Sequence, residues 1–528
     1  MPHSVRVHLV LTRHLRTGLA LLGLALAARA QEPALRPNIV FIYADDLGIG
    51  DVSVYNPRSV WRTPRIDRMA AEGVRFTDAH SASSLCTPSR YALLTGRYAW
   101  RGRLKQGVLQ GYDAPLIEPG RLTVAGFLRQ QGYATAMFGK WHLGLDWARR
   151  GPRPEDVDFA QPFAGGPRAH GFDHFLGISA SLDMPPYVWL RDDRATRVPT
   201  GRVEDSEPPR LWRAGPISDD FRMEDVQPRL IDETVAWLGA QAAAAERRPF
   251  FLYLALASPH TPILPTGTFA GKTGTTEYGD FVTQVDADVG RVLDAIDRLG
   301  LGRDTLVIFT SDNGFAPATG VPEHERIGHD PSAGYRGFKS DLYEGGHRVP
   351  FIARWTGRLA AGRQSAALIG QHDLFATGAA LVGSSLPAAA AEDSVSFLPT
   401  LLDPATAGRT TIVNHSAEGR FAIREGNWKL LLWPGSGGWS SPTPAPSRWL
   451  KVDATDLASL PPYQLFDLAA DPAEQRNVAA DHPDVVRRLG RQLRDEILRG
   501  RSTPGPAEPV TIGDTWPQTR WLTEFALP

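Results

Sequence analysis

"NIVFIYADD" (residues 38–46) is the stretch of this 528-residue chain whose reading decides the fold. From Ile39 to Ala44 no charged side chain interrupts it, and Asp45 and Asp46 close it. A half-buried strand would alternate apolar and polar residues, and a surface helix would turn a polar face outward every few positions. An uninterrupted short run is the pattern of a strand buried on both faces, as in a parallel sheet. The pattern returns in "YATAMFGKWH" (133–142), "FFLYLALASPH" (250–260) and "DTLVIFTSDNG" (304–314). "VRFTDAHS" (74–81) and "RVPFIARW" (348–355) read as further strands. Helical patterns lie between them. "TPRIDRMAAEG" (63–73) has Thr63 as N-cap, Pro64 in the first turn and Gly73 at the end; "LTVAGFLRQQG" (122–132) closes on Gly132. "DFVTQVDADVGRVLDAIDRLG" (280–300) is long and amphipathic. Strands alternating with helices predict an α/β fold: a large, mainly parallel sheet sandwiched by helices.

The character changes from residue 411. "TIVNHSA", "RFAIREG" and "NWKLLLW" predict a short antiparallel sheet, and "PDVVRRLGRQLRDEILRG" (483–500) a helix. The expected organisation is a signal segment at 1–30, a catalytic α/β domain at 31–400 and a smaller α+β domain at 401–528. Segments 191–216, 383–394 and 434–448 read as loops. At the start, Arg6, Arg13 and Arg16 precede the apolar "GLALLGLALAA" and then "ARA". A basic start, a short apolar run and small residues at the end make a secretory signal, cut after Ala30. The apolar run is too short to span a bilayer. The expectation is a periplasmic or secreted protein with no membrane insertion after cleavage. With 57 basic and 58 acidic side chains and no basic clustering, a nucleic-acid partner is excluded.

In an open parallel sheet, ligands gather at the carboxyl ends of the strands. Asp45 and Asp46, Lys140 and His142, His260, and Asp312 and Asn313 all stand at such ends, which predicts one polar cluster. Asp45, Asp46, Asp312 and Asn313 offer only oxygen donors, which suit calcium or magnesium rather than zinc. Asp-Asp or Asp-Asn-Gly alone signals a turn; two such pairs closing buried strands favour a metal. Lys140 and His142, two apart on an extended chain, point to the same side. Lys339 stands among glycines in "GFKSDLYEGGHRVP" (337–350). The single cysteine, Cys86, lies in "SSLCTPSRYALLTGR" (83–97). A helix begun around Pro88 puts Cys86 at its N-terminus, where N–H groups and the dipole favour an anion, with Arg90 one turn on. An exported chain with one cysteine has no internal disulfide, and an unpaired thiol is a liability. These residues point to metal-assisted hydrolysis of an oxyanion ester, with phosphate and sulfate both open.

"CTPSRYALLTGR" (86–97) resembles the signature of the type I sulfatases, C-x-P-S-R followed by L-x-T-G-R, at every fixed position. "GKWHLG" (139–144) is similar to the second family signature, and "NIVFIYADDLGIGD", "ASPHTP", "FTSDNG" and "GGHRVP" to family blocks in the same order. The resemblance runs from about 38 to 355 and, more weakly through "FAIREGNWKLL", to about 480. "HGFDHFLGISASLDMPPYVWL" (170–190) is similar to the arylsulfatase A and N-acetylgalactosamine-6-sulfatase branch. The resemblance implies an alkaline-phosphatase-like core and a cysteine oxidised to Cα-formylglycine by a separate maturation enzyme. The hydrated aldehyde attacks sulfur with one hydroxyl and expels sulfate with the other. By the same resemblance, Asp45, Asp46, Asp312, Asn313 and the modified Cys86 hold calcium, magnesium being the lesser option. Arg90 steadies the nucleophile, Lys140 and Lys339 bind sulfate oxygens, His142 assists sulfate release, and His260 with Lys339 protonates the leaving group. Substrate contacts fall to Lys140, His260 and Lys339.

The implied substrates are sulfated carbohydrates, such as glycosaminoglycan-type N-acetylgalactosamine 6-sulfate, or aryl sulfates. A phosphate or phosphonate monoester hydrolase on the same scaffold is the alternative within enzymes. A pseudoenzyme that binds sulfated glycans is the alternative outside them. His170, Asp183 and His415 are candidates for hydroxyl recognition, and Tyr187 and Trp189 for stacking or packing. The sequon Asn414-His415-Ser416 falls in an expected strand.

Overall fold

In a computed structural model of the chain, residues 35–447, 449–508 and 516–526 are described. The expected signal segment lies outside them. The opening run is β1 (Asn38–Ala44). Then follow α1 (Pro64–Ala71), β2 (Val74–Phe76), α2 (Cys86–Thr95), α3 (Val124–Gln130) and β3 (Ala134–Lys140). Next come β4 (His174–Ile178), the short β5 (Leu190–Arg191) and β6 (Arg194–Ala195), α4 (Val226–Ala243) and β7 (Phe250–Ala255). The core closes with α5 (Glu277–Arg298), β8 (Thr305–Ser311), β9 (Phe351–Arg354) and β10 (Arg363–Ser365). These ten strands form one sheet in the order β10-β2-β9-β8-β1-β7-β3-β4-β5-β6. From β8 to β4 every neighbouring pair is parallel. β9 runs antiparallel to β8 and β2, and β5 and β6 turn back antiparallel at the far edge.

β1 is apolar throughout because helices cover both faces. Ile39, Phe41 and Tyr43 pack with Tyr91 and Leu94 of α2 and Val124 and Leu128 of α3. Val40, Ile42 and Ala44 pack with Ile66 of α1, Leu230 of α4 and Val285 of α5. The six side chains from Ile39 to Ala44 are fully buried, and each adds about 1.5–3 kcal/mol of transfer free energy where it is large and apolar. The cap of α1 differs from expectation. Thr63 occupies the N-cap position, but its hydroxyl is engaged with Ser53 and Asp67. Asp286 of α5 caps the helix instead, accepting from the N–H groups of Arg65 and Ile66 at 3.0 and 2.8 Å.

The C-terminal part carries β11 (Thr411–His415), β12 (Phe421–Glu425), β13 (Trp428–Leu431) and β14 (Gln464–Asp467) in one antiparallel sheet, with α6 (Pro483–Arg499) against it. Lys429 of β13 ties this sheet to the core, reaching Glu344 at 2.9 Å and Glu474 at 2.8 Å. Asn414 of the sequon is buried and donates to the Ser81 carbonyl, which leaves its amide inaccessible for glycosylation in the folded chain.

Glu496 of α6 is a buried acid facing Arg101 and Asp393. Burial first, and then the charge of Asp393, push its carboxyl up to about 7. A folded pKa above the unfolded value of about 4.3 means that the folded state binds the extra proton. Its burden on stability is therefore absent below the unfolded pKa, grows as pH rises and is complete above about 7. Glu496→Gln is expected to stabilise the protein little at pH 4 and by about 1–3 kcal/mol at pH 8. Denaturant midpoints across that range check this; a gain that shrinks with rising pH contradicts it.

Candidate active site

The four strands whose ends carry the polar residues are consecutive in the sheet, in the order β8-β1-β7-β3, and all parallel. Their carboxyl ends therefore open on one side. Gly139 lets β3 approach β7 there: a Cβ on it would lie 1.7 Å from the Ala255 carbonyl oxygen, and its φ is +118°. Lys140 follows directly. Asp46 and His142 both adopt positive φ, +65° and +56°. That conformation is costly outside glycine and clusters at functional sites.

Cys86 begins α2. Leu85 before it is extended, and Gly96, at φ +64°, ends the helix in the left-handed conformation. Cys86 and Arg90 sit one turn apart on a helix buried along its whole length. The Cys86 sulfur and carboxylate oxygens of Asp45 and Asp312 lie within 4.8 Å of one another. Arg90 donates from Nε and a terminal nitrogen to Asp312 Oδ2, at 3.1 and 2.7 Å, and to the Lys140 carbonyl at 3.2 Å. Lys140 Nζ reaches both Asp45 oxygens, at 2.8 and 2.7 Å, and Lys339 Nζ reaches Asp46 Oδ2 at 2.7 Å. His260 Nε2 stands 3.4 Å from the same Asp46 oxygen.

The charges set the protonation states. Burial opposes ionisation of Asp45, but Lys140, His260, Arg90 and Lys339 outweigh it and hold the carboxyl well below its ordinary range. Asp312 is pushed up to about 6, by burial first and by Asp45 second, against the pull of Arg90. Burial also raises the Cys86 thiol, although Lys140 and Lys339 draw it down. Cys86 left as a thiol is thus a poor source of thiolate. His142 is held well below its ordinary value by burial, then by Lys140 and Arg90. Its Nε2 lies 2.8 Å from the Leu109 carbonyl, which only accepts, so Nε2 carries the hydrogen and the buried Nδ1 is a bare base without a partner among the described residues.

The donor set fits a hard cation. Asn313 Nδ2 donates to Asp46 Oδ1 at 2.7 Å and to the Gly314 carbonyl at 2.9 Å. Its Oδ1 is left buried without a hydrogen-bond partner among the described residues. A bare amide oxygen among carboxylate oxygens is what an oxygen-ligated calcium or magnesium site requires.

Above these groups lies a cavity of about 500 Å³. Asp46, Cys86, His260 and Lys339 line it with Leu85, Val108, Met184 and Leu211, while Asp183, Arg213, Trp439 and Trp449 complete the wall. The sulfatase family profile matches residues 37–384. The chain belongs to the sulfatase family. It is 36% identical to the N-acetylgalactosamine-6-O-sulfatase of Bacteroides thetaiotaomicron, covering 87% of this chain and 92% of that one. It is 35% identical to human arylsulfatase A, covering 92% of both. A solved 6S-sulfatase structure from work on glycosaminoglycan metabolism by Bacteroides thetaiotaomicron superposes with a TM-score of 0.76 at 35% identity, covering 87% of this chain and 98% of that one. The protein is an enzyme that hydrolyses sulfate esters.

All ten residues singled out from the sequence converge in this sulfatase: Asp45, Asp46, Cys86, Arg90, Lys140, His142, His260, Asp312, Asn313 and Lys339. The two lysines differ from the simple expectation, since their ammonium groups pair with Asp45 and Asp46. Of the weaker candidates only Asp183 borders the cavity. His170 stacks on Trp141, and His415 packs on Phe421 inside the C-terminal core. Tyr187 and Trp189 are buried against Phe221 and serve packing. Arg213, Trp439 and Trp449 carry no motif in the sequence, since they stand in or beside segments with loop composition. The first of those segments contains a small hairpin, Gly201–Val203 paired with Gly215–Ile217, that carries Arg213 toward the cavity.

Proposed function

We propose that the sulfatase acts on sulfate monoesters of carbohydrates, of the N-acetylgalactosamine 6-sulfate type, through a formylglycine made from Cys86 and with a bound calcium ion. The observation that carries the reading is Cys86 at the mouth of α2, its sulfur grouped with Asp45 and Asp312 at the base of a cavity. The relatives named for galactosamine 6-sulfatase activity support the sugar class. Asp45, Asp46, Asp312, Asn313 and residue 86 hold the ion. Bound calcium supplies positive charge that polarises the sulfate and favours an ionised attacking hydroxyl. Formylglycine supplies a hydrated aldehyde, a nucleophile with a second hydroxyl for release.

The protein's own side chains do the rest. Arg90 fixes Asp312 and the base of α2, and through them the nucleophile's position. Lys140 and Lys339 present ammonium groups to sulfate oxygens as point charges. His142, neutral with Nδ1 bare, takes the proton that must leave residue 86 for sulfate to depart. His260 donates Nδ1–H to the Thr261 carbonyl at 2.6 Å, and in its imidazolium form Nε2, which shares Asp46 Oδ2 with Lys339, carries the second proton that passes to the departing alcohol. The mature protein is exported after loss of residues 1–30, and a maturation enzyme of its host converts Cys86. Among the described residues no helix is long and apolar enough to cross a membrane.

The peptide containing residue 86, isolated from protein made in its native host, is expected to carry the aldehyde mass. Sulfate release from N-acetylgalactosamine 6-sulfate is expected to stop on chelation and return with calcium. Unmodified cysteine in fully active enzyme sinks the nucleophile assignment, and chelator-resistant activity sinks the metal.

A further inference from the structure

The cavity wall holds a donor–acceptor pair that the steps above do not use. Asp183 is 4% exposed. Its Oδ2 accepts from Arg213 at 2.8 Å, while Oδ1 has no hydrogen-bond partner among the described residues. Oδ1 lies 4.0 Å from His260 Nδ1, beyond hydrogen-bond reach, and that nitrogen already gives its hydrogen to Thr261. A buried carboxylate oxygen without a donor costs free energy, so such an atom beside a ligand cavity points to a donor on the ligand.

Arg213 supplies the complementary half. Its backbone N–H donates to the Asp183 carbonyl at 3.0 Å, and its own carbonyl accepts from the Tyr187 hydroxyl at 2.7 Å. The guanidinium is anchored by one terminal nitrogen on Asp183, and no described group takes a hydrogen bond from its Nε or its second terminal nitrogen. The side chain is 49% exposed and borders the same cavity as Cys86 and Lys339. It is held in place with donors to spare.

We propose that Asp183 and Arg213 form a sugar-hydroxyl subsite. Asp183 Oδ1 accepts from one hydroxyl of the sulfated pyranose, and Arg213 donates to the oxygen of the neighbouring one. The cavity of about 500 Å³ has room for the ring between this pair and residue 86. The pair's charges offset each other, so it selects neutral polar groups rather than a second anion. An aryl or sterol ring offers Oδ1 no donor. The subsite rests on the sulfatase reading and narrows its substrate class to a ring with adjacent free hydroxyls.

The test compares kcat/KM for the mature enzyme on N-acetylgalactosamine 6-sulfate, on its 3-deoxy and 4-deoxy analogues, and on 4-nitrophenyl sulfate. Asp183→Asn and Arg213→Gln are expected to lose about 10- to 100-fold on the full sugar, at least ten times their loss on the aryl sulfate. One deoxy analogue is expected to be as poor for the wild type as the full sugar is for the variant. The variant is then expected to lose little more on that analogue, which is the mark of a shared contact. Equal losses on sugar and aryl sulfate, or no coupling to either hydroxyl, overturn the subsite. If the wild type releases sulfate from none of these compounds, the sulfatase reading fails first; a wild type active on all, with uncoupled variants, refutes the subsite alone.

Discussion

Replacing Cys86 by alanine is expected to lower kcat/KM on a sulfate ester by about 10⁴-fold or more while leaving the fold intact. The size follows from the role. A nucleophile that splits one difficult displacement into two cannot be replaced by its neighbours, and in enzymes whose groups act as a unit, losing it costs nearly the full acceleration. The structural cost is small. Cys86 is 2% exposed, so alanine removes one buried sulfur, at about 1 kcal/mol, from the first position of α2, where alanine is well tolerated. The measurement pairs initial rates with a thermal melt. A second comparison separates the cysteine from its modified form. Wild-type protein made without a maturation enzyme keeps the thiol, which burial makes a weak nucleophile. It is expected to be as inactive as the alanine variant. Substantial activity in that unmodified protein would show that the thiol itself serves, and the formylglycine assignment would fall.

How much of this was legible in the letters depended on where the information lies. β1, β3, β7 and β8 could be read because burial on both faces leaves a local trace, an unbroken apolar run. The residues that end those runs had to meet once the strands were parallel neighbours, so the site could be drawn before its geometry was known. β4 leaves no strand signal, because "HFLGI" is short, begins with an exposed histidine and contains Gly177. α4 has a buried stripe of Leu230, Thr234 and Leu238, but Pro228 and Gly239 weaken its helical pattern in the sequence. Strand-end reasoning also gives proximity without partners. Nothing in "GKWH" says that Lys140 closes on both oxygens of Asp45 rather than standing free. The cap on α1 shows the same limit: Thr63 has the right chemistry in the right place, and a carboxylate from a helix more than two hundred residues away does the work. Arg213 and Trp439 reach the cavity through the path of long loops, which no local periodicity encodes.

Asp45→Ala is the variant expected to damage stability and activity together. Asp45 and Lys140 are both fully buried, and the Lys140 ammonium has no acceptor among the described residues other than the two Asp45 oxygens. Truncating the carboxylate strands a buried cation and takes away one of the charges near Arg90, whose terminal nitrogen lies 3.5 Å from Asp45. Removing one partner of such a pair costs about 3–5 kcal/mol, because the desolvated charge that remains is uncompensated. Activity is expected to fall by about 10³-fold, since the hard-cation site loses a carboxylate and calcium is no longer held at working concentrations. The two effects separate in the double variant Asp45→Ala, Lys140→Met. With the ammonium gone, no charge is stranded, and most of the lost stability is expected to return while calcium binding stays lost; activity is absent in either case, since Lys140 also binds sulfate. Chemical denaturation and calcium titration of the single and double variants read this directly. If the single variant is as stable as the wild type, the pair is not the buried contact described. If the double variant regains calcium binding with stability, the loss came from misfolding rather than from the metal site, and Asp45 is not a ligand.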